Sequence, residues 1–264
     1  MARPQEGALD RPRVPLPTRV RDVPSVPPPY AETLTAGLAA LGLELPDEAR
    51  AAIDGHAALL LAWTEAINLT AIREPEAVAR LHVLDSLAAV PLLRAAGVRA
   101  FVDLGSGGGF PGLPLAAALP AERALLVDSI GKKARFLETA ITATGLGRRV
   151  AVGAVRAEAL ARDPGHRAAW PAVTARAVAS LAALAELAMP LLSHDGILVA
   201  WKRVPLEDEL AELERLPPDL GAGRADVAEI ALAGLADHRL VVVPKVGPTA
   251  ARYPRDPAER RRLR

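Results

Sequence analysis

Apolar positions along this chain follow two rhythms. Ile53, Ala57, Leu60, Leu61, Thr64 and Ile67 recur at helical spacing after Pro46, and the acids Asp47 and Glu48 sit where a helix start favours negative charge. Leu81, Leu84, Leu87, Ala88 and Leu92 make a second stripe between Pro75 and Gly97, and Ala31 to Leu41 make a shorter one that stops near Gly42. The spacing predicts a helical subdomain over 30–97. From Phe101 the rhythm changes. Short apolar runs at 101–104, 124–127, 150–155, 172–178 and 197–201 alternate with helical stretches at 113–119, 129–143 and 181–192. A helix at 207–216 and two closing strands at 228–233 and 239–243 complete the pattern. This alternation predicts an α/β domain over 98–246: a mostly parallel sheet, helices on both faces and a closing antiparallel strand pair.

The ends break both rhythms. Residues 1–29 hold eight prolines and almost no periodicity, which predicts a disordered arm. Residues 247–264 carry six arginines against Asp256 and Glu259, with three prolines, which predicts a basic flexible tail able to add phosphate affinity.

The stretch Phe101-Val-Asp-Leu-Gly-Ser-Gly-Gly-Gly-Phe-Pro-Gly112 joins a strand end, a glycine turn and a helix start. Glycines there let backbone approach a ligand closely, and a helix N-terminus offers free N–H groups. A nucleotide-type cofactor loop at the end of the first strand follows. Asp128, at the end of the next strand, is placed to bind ribose hydroxyls. Two registers fit. Gly107, Gly109 and Gly112 match the G-x-G-x-x-G of NAD-dependent dehydrogenases. The run Asp103-x-Gly105-x-Gly107-x-Gly109 instead resembles the first motif of class I S-adenosylmethionine-dependent methyltransferases, the favoured register.

Composition narrows the chemistry. The chain has 264 residues, 51% hydrophobic but only 3% aromatic, a net charge of +1 and no cysteine. Thiolate catalysis, disulfides and cysteine-based metal sites are excluded, and any basic surface must be local. The longest apolar run, Ala177 to Leu192, contains Glu186 and Pro190 and is too short to span a membrane. A soluble cytoplasmic protein with no metal, no membrane association and no obligate protein partner is expected. Lys132, Lys133 and Arg135 crowd the first turns of a helix, where cations oppose the dipole, and hint at an anionic partner. His82, Asp85 and Ser86 share a helix face at i, i+3 and i+4, read either as a surface pair or as a face turned to the cofactor loop.

Seven segments then occur together and in order: Ile67-Asn-Leu-Thr70, His82-Val-Leu-Asp-Ser86, Asp103 to Gly112, Leu126 to Lys133, Val155-Arg-Ala-Glu158, Ala175 to Ser180 and Leu198 to Lys202. The combination resembles the small-subunit (16S) ribosomal RNA guanine-N7 methyltransferase family, also called the glucose-inhibited division protein B family, over about residues 31–245. The resemblance implies a class I Rossmann-like methyltransferase fold, S-adenosyl-L-methionine as cofactor, and 16S rRNA or the 30S ribosomal subunit as partner. It implies methyl transfer to N7 of one guanine. By motif position, Asp103, Gly105, Ser106, Gly107, Phe110, Asp128, Ala157, Glu158 and Arg176 would bind the cofactor. Arg156, Arg176 and His82 would serve the reacting centre, and Lys132, Lys133, Arg135 and Lys202 the RNA. Position 81 is Leu where the family often has arginine, and Arg80 lies one residue earlier. Two other readings remain beside it: an RNA-binding ribosome-assembly factor on the same fold, and an NAD-dependent dehydrogenase.

Overall fold

Residues 15–256 and Glu259 are described by a computed structural model. Two long helices open it, α1 (Pro28–Ala40) and α2 (Asp47–Ile67). Pro28 occupies the first turn of α1, where its missing N–H costs nothing, and Asp47 and Glu48 fill the first turn of α2. Asn68 ends α2 in the left-handed conformation, φ 53°, its N–H bonding the carbonyl of Thr64. The segment expected as one helix from Pro75 is broken. It runs as α3 (Pro75–Val78), a π-helical turn (Ala79–Leu84), α4 (Asp85–Leu87) and α5 (Val90–Ala95).

The sheet follows: β1 (Ala100–Leu104), α6 (Gly112–Ala118), β2 (Arg123–Val127), α7 (Gly131–Ala143), β3 (Val150–Gly153), α8 (Ala157–Arg162), β4 (Trp170–Arg176), α9 (Leu181–Ala188), β5 (Leu192–Arg203), α10 (Glu207–Glu214), β6 (Asp226–Glu229) and β7 (His238–Pro244). Its seven strands lie in the order β3-β2-β1-β4-β5-β7-β6, parallel except for β7, which runs antiparallel to both neighbours. The chain steps outward from β1 to β2 and β3, then restarts beside β1 with β4. That reversal opens a crevice at the carboxyl ends of β1 and β4.

Strand side chains alternate between two apolar layers. Phe101, Leu126, Ala172 and Val199 face the layer built with α1, α2, α6 and α7, so the helices of 30–97 share a core with one sheet face. Val102, Leu104, Val127, Val173 and Leu198 face the layer of α8, α9 and α10. This is period-2 burial on both faces, as a covered parallel sheet requires.

Three expectations need correction. Residues 15–29 do not stand apart: Leu16, Val20, Val23 and Val26 pack on the core, and the Trp63 indole donates to the carbonyl of Pro17 at 2.7 Å. Residues 1–14 lie outside the described part. The tail is docked through Asp256. Tyr253 is buried, and Arg167 donates to the carbonyls of Thr249, Ala250 and Tyr253. Arg255 pairs with the buried Glu186. Arginine count alone suggested a solvated end, but two of these arginines neutralise acids of the body, Glu186 and Asp219. Finally, the strand expected over 197–201 begins earlier, at Leu192, and takes in His194-Asp-Gly196. Asp195 takes φ 59° and the pairing with β4 shifts register between Trp170 and Ala172, so the residues form an irregularity in a longer strand.

Candidate active site

Two cavities meet at the carboxyl ends of β1 and β4. The smaller, about 370 Å³, is lined by Gly105, Val127, Asp128, Val155, Arg156, Ala157, Glu158, Ala177 and Val178 among others. The larger, about 520 Å³, is lined by Leu69, Thr70, His82, Asp85, Phe110, Arg176, Trp201 and His238 with the loop Gly105–Gly108. Gly105, Lys133 and Ala177 line both, so the two form one bent site. Ala177 adopts φ 56° at that junction, a conformation a side-chain-bearing residue rarely takes.

The glycine loop is fixed from below. The Ser106 hydroxyl donates to the Asp103 carbonyl at 2.9 Å and accepts from the N–H of Val127 at 3.2 Å, tying β1 to β2. Gly105 has φ 69°, and a Cβ there would sit 2.7 Å from Val178 Cγ2. Gly109 has φ 91° and lies against the His56 ring, whose Nε2 bonds the Gly108 carbonyl at 2.7 Å. Burial lowers the pKa of His56 to about 4, so the ring is neutral and Nε2–H is the donor. Helix α2 thus holds the loop in place.

Asp128 caps the loop from β2. Its Oδ2 accepts from Gly107 N at 2.9 Å and its Oδ1 from Ile130 N at 2.8 Å. A carboxylate has further lone pairs, and this one borders the smaller cavity. Val155 and Val178 stand 40% and 38% exposed on that cavity's walls, which is unusual for such side chains and suits a flat, apolar-faced ring. An acceptor at the ribose position, an apolar slot beyond it and a close-approach glycine turn fit an adenosine-bearing group.

Asp103 departs from expectation. It is fully buried and lines neither cavity. Its Oδ1 accepts from the Thr174 hydroxyl at 2.8 Å and its Oδ2 from Gly112 N at 3.2 Å, so it joins β1 to β4 and to the start of α6. Burial raises its pKa to about 6, although Ser106, Thr174, Arg176 and Gly112 each pull it down. Ser106 is likewise a strut within the loop rather than an open donor.

The larger cavity is walled by a polar network. Arg176, at the end of β4, donates Nη1 to Asp85 Oδ2 at 2.8 Å and to the Leu81 carbonyl at 3.1 Å. Its Nη2 lies 3.3 Å from His82 Nδ1. Asp85 is 1% exposed and also meets His238 Nδ1 at 2.8 Å through Oδ1, while its own carbonyl accepts from the Trp201 indole at 2.7 Å. His82 stacks on Phe110 at 4.7 Å and bonds Thr70 Oγ1 at 2.8 Å. Its pKa is lowered to about 3, chiefly by burial and then by the charges of Arg176 and His56, against smaller raising effects of Asp85 and the Leu81 carbonyl. His82 and Asp85 are therefore not a surface pair. His82 lies in the π-helical turn, stacked on Phe110, and Arg176 bridges it to Asp85.

The other expected residues divide. Ala157 and Glu158 border the smaller cavity, and Arg156 does so with its guanidinium 3.6 Å from Glu158. Lys133 reaches both cavities. Lys132 and Arg135 line a separate apolar cleft with Leu16, Trp63 and Ile67. Lys202 borders the larger cavity, but its ammonium bonds Glu209 at 2.6 Å and the Ala179 carbonyl at 2.7 Å, so its charge is matched within the protein. Sequence reasoning missed His56 and His238. His56 follows Asp54-Gly55 and His238 stands between Asp237 and Arg239, with no motif around either, and only the fold brings them to the site.

Comparison with known proteins agrees with this geometry. A family model described as rRNA small subunit methyltransferase G matches residues 50–230. A ribosomal RNA small subunit methyltransferase G from Roseiflexus sp. is 43% identical over 216 residues, covering 82% of this chain and 92% of that protein. One of the same name from Rubrobacter xylanophilus is 45% identical over 204 residues, covering 75% and 77%. Among solved structures, an O-methyltransferase from Bacillus cereus, in complex with SAH, superposes with a TM-score of 0.52 at 16% identity, covering 82% of this chain and all of that one. The last likeness concerns the fold alone.

Proposed function

The chain belongs to the rRNA small subunit methyltransferase G family, and from that premise we propose that it transfers a methyl group from S-adenosyl-L-methionine to N7 of a guanine in 16S rRNA, in the cytoplasm. The observation that carries the reading is the bent double cavity: an adenosine-sized half beside Asp128 and a polar half beside Phe110, His82 and Arg176, meeting at Gly105 and Ala177. The cofactor supplies an electrophilic methyl on a sulfonium.

The residues present suit an acceptor that needs no base. Guanine N7 carries an exposed lone pair on the major-groove edge and can attack without first losing a proton. Two groups with shifted pKa values fit that. His82, with a pKa near 3, remains neutral at physiological pH. Asp103, the acid with a raised pKa, lies behind the strand out of reach. What the chain contributes is position: Gly105 and Gly107 admit the cofactor to the backbone, Asp128 orients ribose, and Phe110, Arg176 and Trp201 form the acceptor wall. Lys133 at the rim, with Lys132, Arg135 and Arg156, meets RNA phosphate. In contrast, Lys202 is a strut for α10.

One assay separates the methyltransferase from the dehydrogenase, and methyl transfer itself separates it from the assembly factor. S-adenosylmethionine and S-adenosylhomocysteine should raise the melting temperature and NAD should not. Asp128→Ala should weaken cofactor binding by about 1.5–3 kcal/mol, part of it through the freed Gly107 and Ile130 N–H groups. Stabilisation by NAD alone, or wild-type cofactor affinity in folded Asp128→Ala, would overturn the assignment.

A further inference from the structure

The turn after α2 places Thr70 in the wall of the larger cavity, beside His82. Its hydroxyl oxygen has two close partners. The Ile72 N–H donates to it at 3.0 Å, and His82 Nε2 lies 2.8 Å away. Which atom carries the proton in that second contact is decided on the far side of the imidazole. There, Arg176 Nη2 points at His82 Nδ1 from 3.3 Å. A guanidinium has only donors, so this contact sets Nδ1 as the accepting nitrogen of the ring over the Leu81 carbonyl, which takes its hydrogen bond from Arg176 Nη1 at 3.1 Å. Nε2 therefore carries the proton and donates to Thr70. The ring's low pKa, about 3, keeps this single-proton form across neutral pH.

Thr70 Oγ1 then accepts two hydrogen bonds, which fills both lone pairs. Its own O–H is left as a donor with no acceptor among the described residues, on a surface that faces the cavity. Polarity is thus relayed from Arg176 through His82 to a donor of fixed direction.

Guanine and adenine both present N7 on the same edge, but the neighbouring group differs: O6, an acceptor, in guanine, and an amino donor in adenine. A donor aimed at N7 itself would occupy the lone pair that must attack. We propose that the Thr70 hydroxyl donates to O6 of the acceptor guanine, holding N7 toward the cofactor and rejecting adenine by a donor–donor clash. This rests on the guanine-N7 reading above.

Three variants and two substrates test it. Wild type, Thr70→Val and Thr70→Ser are compared on small-subunit RNA carrying guanosine or 2-aminopurine riboside at the methylated position, which is first mapped with wild type. The second base keeps N7 but lacks O6. Wild type should favour guanosine in kcat/KM by about 10-fold or more, Thr70→Val should lose most of that preference, and Thr70→Ser should restore it. S-adenosylmethionine affinity should be equal in all three. If Thr70→Val slows both substrates equally, the residue is structural and the proposal fails. Nitrogen-15 NMR of His82 in the wild-type protein gives an independent reading that needs no variant. A proton on Nε2 is expected, and a proton on Nδ1 would turn the Thr70 hydroxyl toward His82 and overturn the relay. Should wild type yield no 7-methylguanosine, the guanine-N7 reading itself fails, whatever the tautomer.

Discussion

Arg176 and Asp85 form a 2.8 Å ion pair across 91 residues of chain, and Asp85 is 1% exposed. The pair fastens the end of β4 to the short helix α4, and both partners contact a histidine that lines the larger cavity: Arg176 meets His82 and Asp85 meets His238. Removing the carboxylate charge leaves a half-buried guanidinium without its counter-ion, a change that typically costs about 3–5 kcal/mol. Asp85→Asn should therefore lower the urea midpoint strongly and reduce methyl transfer further than cofactor binding. An unfolding free energy within about 0.5 kcal/mol of wild type would remove the pair from the list of stabilising contacts.

Asp103 should make stability depend on pH in an unusual direction. Its pKa rises from 3.8 unfolded to about 6 folded, because burial disfavours the charged form. The folded state holds the extra proton between those values, so stability from this group is fully present below about pH 4 and lost as pH rises through about 6. The whole effect is on the order of 3 kcal/mol. Asp103→Asn can keep both bonds, accepting from Gly112 N and donating to the Thr174 hydroxyl. The difference in unfolding free energy, mutant minus wild type, should grow from about pH 4 to about pH 7 and then level off. A flat difference over that range would mean that Asp103 is not held at a raised pKa.

The docked tail should matter for stability before it matters for RNA. Arg255 neutralises Glu186, which is 2% exposed on α9. Arg255→Ala strands that carboxylate and should cost about 3 kcal/mol or more, whereas Arg255→Ala combined with Glu186→Leu should recover most of the loss. Calorimetric melting of the two variants checks it. Equal melting temperatures for wild type and Arg255→Ala would show the tail end to be a bystander.

The chemical step should be insensitive to pH. With His82 titrating near 3 and Asp103 outside the cavity, neither group changes charge within reach of the acceptor over the neutral range. Single-turnover transfer at saturating RNA and cofactor should be nearly constant from about pH 5.5 to about pH 8.5. A log-linear rise, abolished by replacing His82, would identify a general base and an acceptor other than N7.

Much of this molecule was legible in the order of its residues. The strand–glycine–helix run, Asp128 and the β-α alternation are local features, and local features carry period and turn chemistry. What the sequence hid was decided by the third dimension. Asp103 sits two residues before Gly105 and reads as a ligand contact, yet strand alternation turns it into the layer beneath α6. Lys202 reads as a free cation until α10 brings Glu209 to it. The π-helical turn at 79–84, which carries His82 to Phe110 and Thr70, has no clear compositional mark. His238 lies 153 residues from Asp85, in a strand whose register no local signal fixes. The arginines of 252 and 255 read as a free charge cluster because their acidic partners, Asp219 and the buried Glu186, lie far away in the chain.

Methyl transfer to one guanine N7 leaves a product that can be read directly. Small ribosomal subunits, and separately naked 16S rRNA, from cells lacking the modification are incubated with the protein and S-adenosylmethionine labelled in the methyl group, and the RNA is digested to nucleosides. Label is predicted in 7-methylguanosine alone, dependent on Asp128, with the larger yield identifying which form is the substrate. Label in any other nucleoside, or none in either RNA from a folded protein that binds S-adenosylmethionine, would contradict it.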